Sequence, residues 1–391
     1  MNAPDFLTAG KNLRTFSTRS GGRCLWLATS PAAALGQVWR RRGLRGVLKA
    51  LTERRPDDGI EALAMRNLVR RRIRWPAIFR WKAVCRLYLF FTILHARLIA
   101  AAFEDALAAR PSADVLVHNG FLLPHSLLAA VARRTGRTHC FLEGGFFPGT
   151  FQCDTQGINF DGSLPRDAAF YRNVELRPDE LALPDSLVTR ATKLKDTGSA
   201  ELPEHFVFVP FQVPSDMQIL ALSPWIRDMR HLYEVVERLA ERFADRRFVI
   251  KEHPSFPLSI RGTVRQHPRI GFANHESTRL LIERSQAVIT VNSTVGLEAL
   301  LLKKKVITLG NAHYNIEGLV MPAGDDAELA AAFRALDTWE QDPALRETFL
   351  AYVHNVFLRH GMLDKPSPAV LDAIKARMER TDRHAQLTAA G

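Results

Sequence analysis

The chain is predicted to be an α/β protein of two Rossmann-like halves, and three observations carry that prediction. Its 391 residues exceed one ordinary domain and suit two. From Asp114 onward, strand-like apolar runs alternate with helical ones. The stretch QAVITVNSTVGLEALLL, residues 286–302, reads as a buried strand, a small polar turn and a short apolar helix. Such a turn presents backbone N–H groups and the positive end of a helix dipole to an anion, so Asn292, Ser293 and Thr294 form a candidate phosphate seat. A plain capped helix is the alternative.

Composition sets the outer limits. Hydrophobic content of 47% with 24% charged residues is that of a globular chain and excludes wholesale disorder. The net charge of +12 and pI near 9.9 imply an acidic partner: nucleic acid, anionic lipid or a phosphorylated sugar donor. Cys24, Cys85, Cys140 and Cys153 are scattered without a CxxC pair, which argues against a disulfide scaffold or a zinc site and for a reducing compartment. The N-terminal segment lacks the pattern of a signal peptide, so a cytoplasmic location is expected.

Residues 40–86 are densely basic, with Trp39, Trp75 and Trp81 interleaved. The most apolar run, LYLFFTILHARLIAAAF at 87–103, follows; His95 and Arg97 interrupt it, and it is shorter than a spanning helix needs. It is expected to be a buried or interfacial helix. The arginines are either solvated helix faces or a peripheral docking surface for an anionic membrane leaflet. No RNP-like, zinc-knuckle or helix-turn-helix signature points to nucleic acid.

DVLVHNG (114–120) and THCFLEGG (138–145) are predicted strands running into Gly turns, separated by a helix over 124–134. Strand ends are where chemistry usually sits, which selects Asn119 and Glu143. The stretch 146–166 reads as a long binding loop. Residues 173–204, rich in proline and charge, read as a hinge, giving domains 1–200 and 201–391. The second half is expected to start at HFVFVPFQVPSD (205–216) and to hold strands near 248–251, 270–272, 287–291 and 306–309, with a mostly helical tail over 325–380 that packs back.

Two patterns in that half mark a nucleotide site. In FVIKEHP the strand leaves the sheet at Pro254, and two-residue alternation puts Lys251 and His253 on one face. Glu298 is no capping-box acid, because Val295 stands where Ser or Thr is required. A lone carboxylate one turn past a phosphate seat suits a ribose diol.

Taken together, LEGGFFPGT (142–150), DTQGINFDGSLPR (154–166), FVPFQVPSDMQI (208–219), KEHP (251–254), ITVNSTVGLEALLLKKKVITLG (289–310) and HYNIEGL (313–319) resemble the capsule polysaccharide β-Kdo transferase family, KpsS/KpsC type. The series covers about residues 114–320 in order, and the chain's length is similar to that of single-module members. At Gly145 it departs from the family pattern, where a larger, often basic residue is expected. The resemblance implies a GT-B-like fold with two Rossmann-like domains facing a cleft. It also implies a retaining transferase with CMP-β-Kdo as donor, an anionic lysophosphatidylglycerol-type lipid acceptor at the inner face of the inner membrane, and other capsule assembly proteins as partners.

A departing CMP carries one phosphate, which a Lys/His pair and a helix N-terminus can stabilise, and no DxD-like motif appears, so no metal cofactor is expected. His253 is assigned to the donor phosphate, Lys251 to the phosphate or the Kdo carboxylate, Asn292, Ser293 and Thr294 to the phosphate, and Glu298 to the ribose. Retention takes two inversions, which requires a nucleophile and an acid/base. By resemblance to the family's Gln-x-x-x-Asp element, here Gln212 to Asp216, Asp216 is the expected nucleophile and Glu143 the acid/base; a helix cap and a turn residue are their structural alternatives. Asp154, Asn159 and Asp161 are expected to hold the acceptor or support Glu143. Two other classes compete: a CDP-glycerol-type polymer transferase of similar fold, and a non-enzymatic basic RNA-binding or scaffold module.

Overall fold

The computed structural model describes residues 4–54, 58–187, 201–256 and 259–390. Arg55 of the basic run and residues 188–200 of the expected hinge lie outside them. The chain forms two compact α/β units, each built on a six-stranded sheet.

The first unit comprises residues 1–145, 149–163 and 358–390. Its strands are β1 (Phe6–Ala9), β2 (Cys24–Leu27), β3 (Asp114–His118), β4 (His139–Gly144) and β5 (Thr150–Asp154). Across the sheet the order is β5-β4-β3-β1-β2, and the two-residue strand Arg359–His360 adds antiparallel to β5 at one edge. β1 to β4 run parallel, while β4 and β5 form an antiparallel pair. β1, β2 and β5 depart from expectation. TFQCD reads as polar loop, yet every residue of β5 is buried, because β4 and Arg359–His360 pair with its two edges and the helix Pro368–Met378 packs on it. Val370, Leu371 and Ile374 of that helix join Phe6, Leu116, Leu142 and Phe151 in one core, so the tail packs back as expected.

The second unit spans residues 164–357 with 146–148. Its strands are β6 (Val207–Pro210), β7 (Phe248–Lys251), β8 (Ile270–Phe272), β9 (Ala287–Thr290), β10 (Lys305–Thr308) and β11 (Met321–Pro322). All pair in parallel in the order β8-β7-β6-β9-β10-β11, the 3-2-1-4-5-6 order of a dinucleotide-binding sheet. Parallel strands covered on both faces read as unbroken apolar runs, which is why FVIK and AVIT were recognisable. The division falls at residue 164 instead of 200. The segment after Leu164 belongs to the second unit because its helix Ala168–Asn173 packs Tyr171 edge-on against Phe349 and Tyr352.

The apolar run lies within a longer helix, Lys82–Ala108. Its second half, including Ala96, Ile99, Phe103 and Leu107, is buried in the first unit. The helix Pro31–Thr52 packs along it, held by ion pairs from Arg42 to Glu104 and Asp105.

Candidate active site

In the second sheet the strand order reverses between β6 and β9, and polar residues gather at the carboxyl ends of those strands. Gln212 and Asn292 meet there as a reciprocal amide pair: Gln212 Nε2 donates to Asn292 Oδ1 (3.0 Å), and the Asn292 backbone N–H donates to Gln212 Oε1 (3.3 Å). Asn292 Nδ2 also donates to the carbonyls of Gln218 and Leu222. Both residues are buried. Their side chains are therefore spent on tying the helix Met217–Leu222 to the end of β9, not presented as phosphate donors.

Asp216 opens that helix as its N-cap, its Oδ1 accepting from the Gln218 N–H at 3.0 Å. The cap fixes the orientation of a half-buried carboxylate. After β9, Ser293 Oγ accepts from the Val295 N–H (3.2 Å) and the Ser293 carbonyl from the Gly296 N–H (2.9 Å) at the start of the helix Val295–Leu301. The same carbonyl accepts from the buried Tyr314 hydroxyl at 2.5 Å. A Cβ on Gly296 would lie 2.2 Å from that hydroxyl, so glycine is what admits the ring. Ser293 and Thr294 stay half-exposed, whereas Glu298 is 1% exposed and lies in the packed interior beside Tyr314. The apolar helix face turns Glu298, the residue expected to meet the ribose, inward.

At the end of β7, Lys251 Nζ donates to the carbonyls of Asn274 and Glu276, both at 2.7 Å. Burial holds its pKa below the ordinary lysine value, with Glu276 opposing. The ammonium closes the turn after β8. Buried Glu252 accepts from Ser259 Oγ, the Ile260 N–H and Asn274 Nδ2, binding the loop after Pro254. Between these anchors His253 is half-exposed and lines a small pocket with Phe211, Gln212, Pro214, Phe256 and Ile260. Its Nδ1 accepts from the Ser255 N–H at 3.2 Å, which leaves the proton of the neutral ring on Nε2.

In the first unit Glu143 ends β4 half-exposed, its Oε1 accepting from the Gly144 N–H. His118, which closes β3, places Nε2 3.5 Å from that oxygen and 3.2 Å from the Asn12 amide. Burial lowers the His118 pKa and the Glu143 charge opposes that shift. The sequence reading missed His118, although its place at a strand end next to Asn119 is the same signal that selected Glu143. Asn119 turns the chain at φ 41°, its Oδ1 accepting from the Phe121 N–H.

The acids of the expected loop divide. Asp154 is fully buried and accepts from the N–H groups of Gln156, Gly157 and Ser163 and from Ser163 Oγ, which in turn lies 2.9 Å from His384 Nε2. Asn159 is buried in a reciprocal pair with Gln152. Both shape the loop instead of facing an acceptor, and only Asp161 is exposed. At Gly145 a Cβ would fall 2.0 Å from Thr150 Oγ1, so this turn tolerates no larger residue as it stands.

The family model "Capsule polysaccharide biosynthesis protein" matches residues 185–359. Protein FixF of Sinorhizobium fredii is 40% identical over 335 residues, 85% of this chain and 82% of its own. The capsule polysaccharide export protein KpsS of Escherichia coli is 28% identical over 129 residues, 30% of this chain and 33% of its own. Among solved structures, the β-Kdo 2,4 transferase KpsC of Thermosulfurimonas dismutans superposes with a TM-score of 0.44 at 18% identity, covering 68% of this chain and 86% of that one. On the extent of its likeness to FixF and the match of the family model, the chain belongs to the capsule polysaccharide biosynthesis family, the one its motif series resembles.

Proposed function

We propose that the protein is a retaining β-Kdo transferase that moves Kdo from CMP-β-Kdo to an anionic lysophosphatidylglycerol-type acceptor at the inner face of the inner membrane. One observation carries the reading. Asp216, His253, Ser293 and Thr294 all stand half-exposed at the carboxyl ends of β6, β7 and β9, around the point where a 3-2-1-4-5-6 sheet reverses its order. That is where such sheets seat a nucleotide.

In this reading His253 and the Ser293–Thr294 turn hold the phosphate of CMP. The Asp216 carboxylate attacks the anomeric carbon, the bond to the phosphate oxygen breaks, and CMP leaves with the electron pair. Glu143 then takes the proton of the acceptor hydroxyl, whose oxygen displaces Asp216 and leaves a β-linkage after two inversions. The phosphate contacts act on charge that develops as CMP departs, which is where preorganised donors contribute most. Gln212, Asn292, Lys251, Asp154 and Asn159 enter as supports that hold these groups in place.

The test is transfer itself. The purified full chain, given CMP-β-Kdo and a synthetic lysophosphatidylglycerol, should yield a product heavier by one Kdo or more in the mass spectrometer. Asp216→Ala and Glu143→Gln should each lower the rate by about 10³-fold or more while CMP still binds. An unaltered rate in either variant removes that residue from its role, and no product with any lysolipid overturns the reading.

A further inference from the structure

We propose that the N-terminal helices of the first unit form an in-plane membrane-docking surface, which seats the protein on an anionic bilayer through apolar side chains and arginines together. The proposal deepens the acceptor half of the function above by assigning the surface that reaches the lipid.

The fold leaves apolar surface here that it does not use. Of the 15 large apolar side chains exposed among the described residues, 12 lie between residues 35 and 91. They follow a pattern. Along Pro31–Thr52 the buried pair Ala34/Val38 is shadowed one residue on by the exposed pair Leu35/Trp39. Along the helix Ile60–Arg74, buried Ala64/Leu68 is shadowed by exposed Met65/Val69. A one-residue offset rotates by about 100°, so each helix carries a second apolar stripe beside the one that faces the core. Core packing accounts for the first stripe only.

Both helices pack against the helix Lys82–Ala108, whose own exposed large apolar residues are Leu87, Phe90 and Phe91. Trp39, Trp75 and Trp81 are 52%, 51% and 58% exposed in the same region. Tryptophan, with an apolar ring and a polar N–H, is the residue that settles at a bilayer interface.

Charge chooses the occupant. Arg40, Arg41, Arg71, Arg72, Arg74 and Arg80 are all exposed among these stripes, while Glu61 is the only exposed acid among the described residues 31–95. Exposed cations beside exposed aromatic and aliphatic side chains match anionic headgroups over an acyl boundary. RNA would use the arginines but not the aliphatic stripes.

By length and composition Lys82–Ala108 is apolar enough to cross a membrane. Its second half is committed to the core of the first unit, however, and the free first half, about 13 residues or roughly 20 Å long, falls short of a hydrocarbon thickness of about 30 Å. The helix therefore lies on the bilayer and does not span it.

Sucrose-loaded vesicles test this without any sugar nucleotide, so its outcome is independent of transfer activity. The full chain should sediment with phosphatidylcholine vesicles containing phosphatidylglycerol and not with phosphatidylcholine alone, and acyl-brominated lipid should quench its tryptophan fluorescence. Leu87→Ser/Phe90→Ser/Phe91→Ser, all at exposed positions and checked for an unchanged melting temperature, should weaken binding at least tenfold at fixed salt. Arg71→Gln/Arg72→Gln/Arg74→Gln should weaken it mainly at low salt. The proposal is overturned by absent vesicle binding, by binding that the apolar variant leaves intact, by a preference for RNA over anionic vesicles, or by self-association that the apolar variant abolishes.

Discussion

The turn that would seat the donor phosphate is held from behind by one ring, and that contact can be weighed. A Cβ at position 296 would lie 2.2 Å from the Tyr314 hydroxyl oxygen, 2.5 Å from Cζ and 2.7 Å from Cε2. Since unstrained contacts begin near 3.5 Å, Gly296→Ala forces ring and helix apart by roughly 1 Å. Overpacking of this kind costs about 1–3 kcal/mol, against which alanine's helix preference returns at most about 1 kcal/mol. A net loss of about 1–2 kcal/mol is expected. Tyr314→Phe removes the bond to the Ser293 carbonyl but leaves that carbonyl its Gly296 N–H at 2.9 Å, so about 1 kcal/mol is lost. In the double variant the closest clash disappears with the hydroxyl. The two effects should then fall short of their sum by at least about 0.5 kcal/mol. Urea unfolding of the four proteins closes the cycle, and CMP titration beside it should show each single variant weakened up to about fivefold. A Gly296→Ala protein as stable as the parent, or single effects that simply add, would show that Tyr314 does not brace the turn.

Two further outcomes concern buried charge. Burial above all holds His125, His313 and His384 at about 3 against an ordinary 6.5. The unfolded chain therefore binds protons that the folded chain refuses, and stability that is full above pH 6.5 drains as pH falls toward 3, by up to about 1.4 kcal/mol per pH unit per histidine. His313→Phe keeps the stack on Phe146 at 4.1 Å and should flatten the slope between pH 4 and 6 by about one proton; urea midpoints across that range with equal slopes would refute the assignment. In the first unit buried Arg377 reaches Asp382 at 2.6 Å and the Cys153 carbonyl at 2.7 Å. Asp382 keeps its pair with Arg359 at 3.1 Å, so Arg377→Met should cost about 3 kcal/mol, the low end for breaking a buried pair, as read by thermal unfolding.

The second unit was legible because its strands are short apolar runs cut off by polar turns, a pattern that parallel sheets require. The first was less so. FLTA and CLWL are four-residue strands in a polar, basic setting, and only the pairing of β1 with β3 and of β2 with β1 makes them strands. β5 reads as loop because Thr150, Gln152 and Asp154 are polar, and nothing local reveals that a helix more than 200 residues away will cover it. Side-chain destinations were the least legible. Alternation aims Lys251 at the crevice, whereas its partners are two carbonyls 23 and 25 residues on. Asn292 finds Gln212 at a separation of 80 residues.

That pattern of error has a physical cause that bears on the site. A polar side chain at a strand end has two uses, to meet a ligand or to satisfy a buried backbone, and sequence cannot separate them because both favour the same residues. Here they alternate along the chain. Buried Asn292 precedes half-exposed Ser293, buried Glu252 precedes half-exposed His253, and buried Gln212 and Ser215 precede half-exposed Asp216. Ser293 and His253 thus stand next to neighbours whose hydrogen bonds pin the backbone that carries them, and Asp216 follows buried Gln212 by four residues. A site meant to stabilise charge during a reaction needs its donors fixed beforehand, since a mobile dipole spends much of its stabilisation on reorienting. The tied residues are then as necessary as the accessible ones, and the motif series is long because it records both.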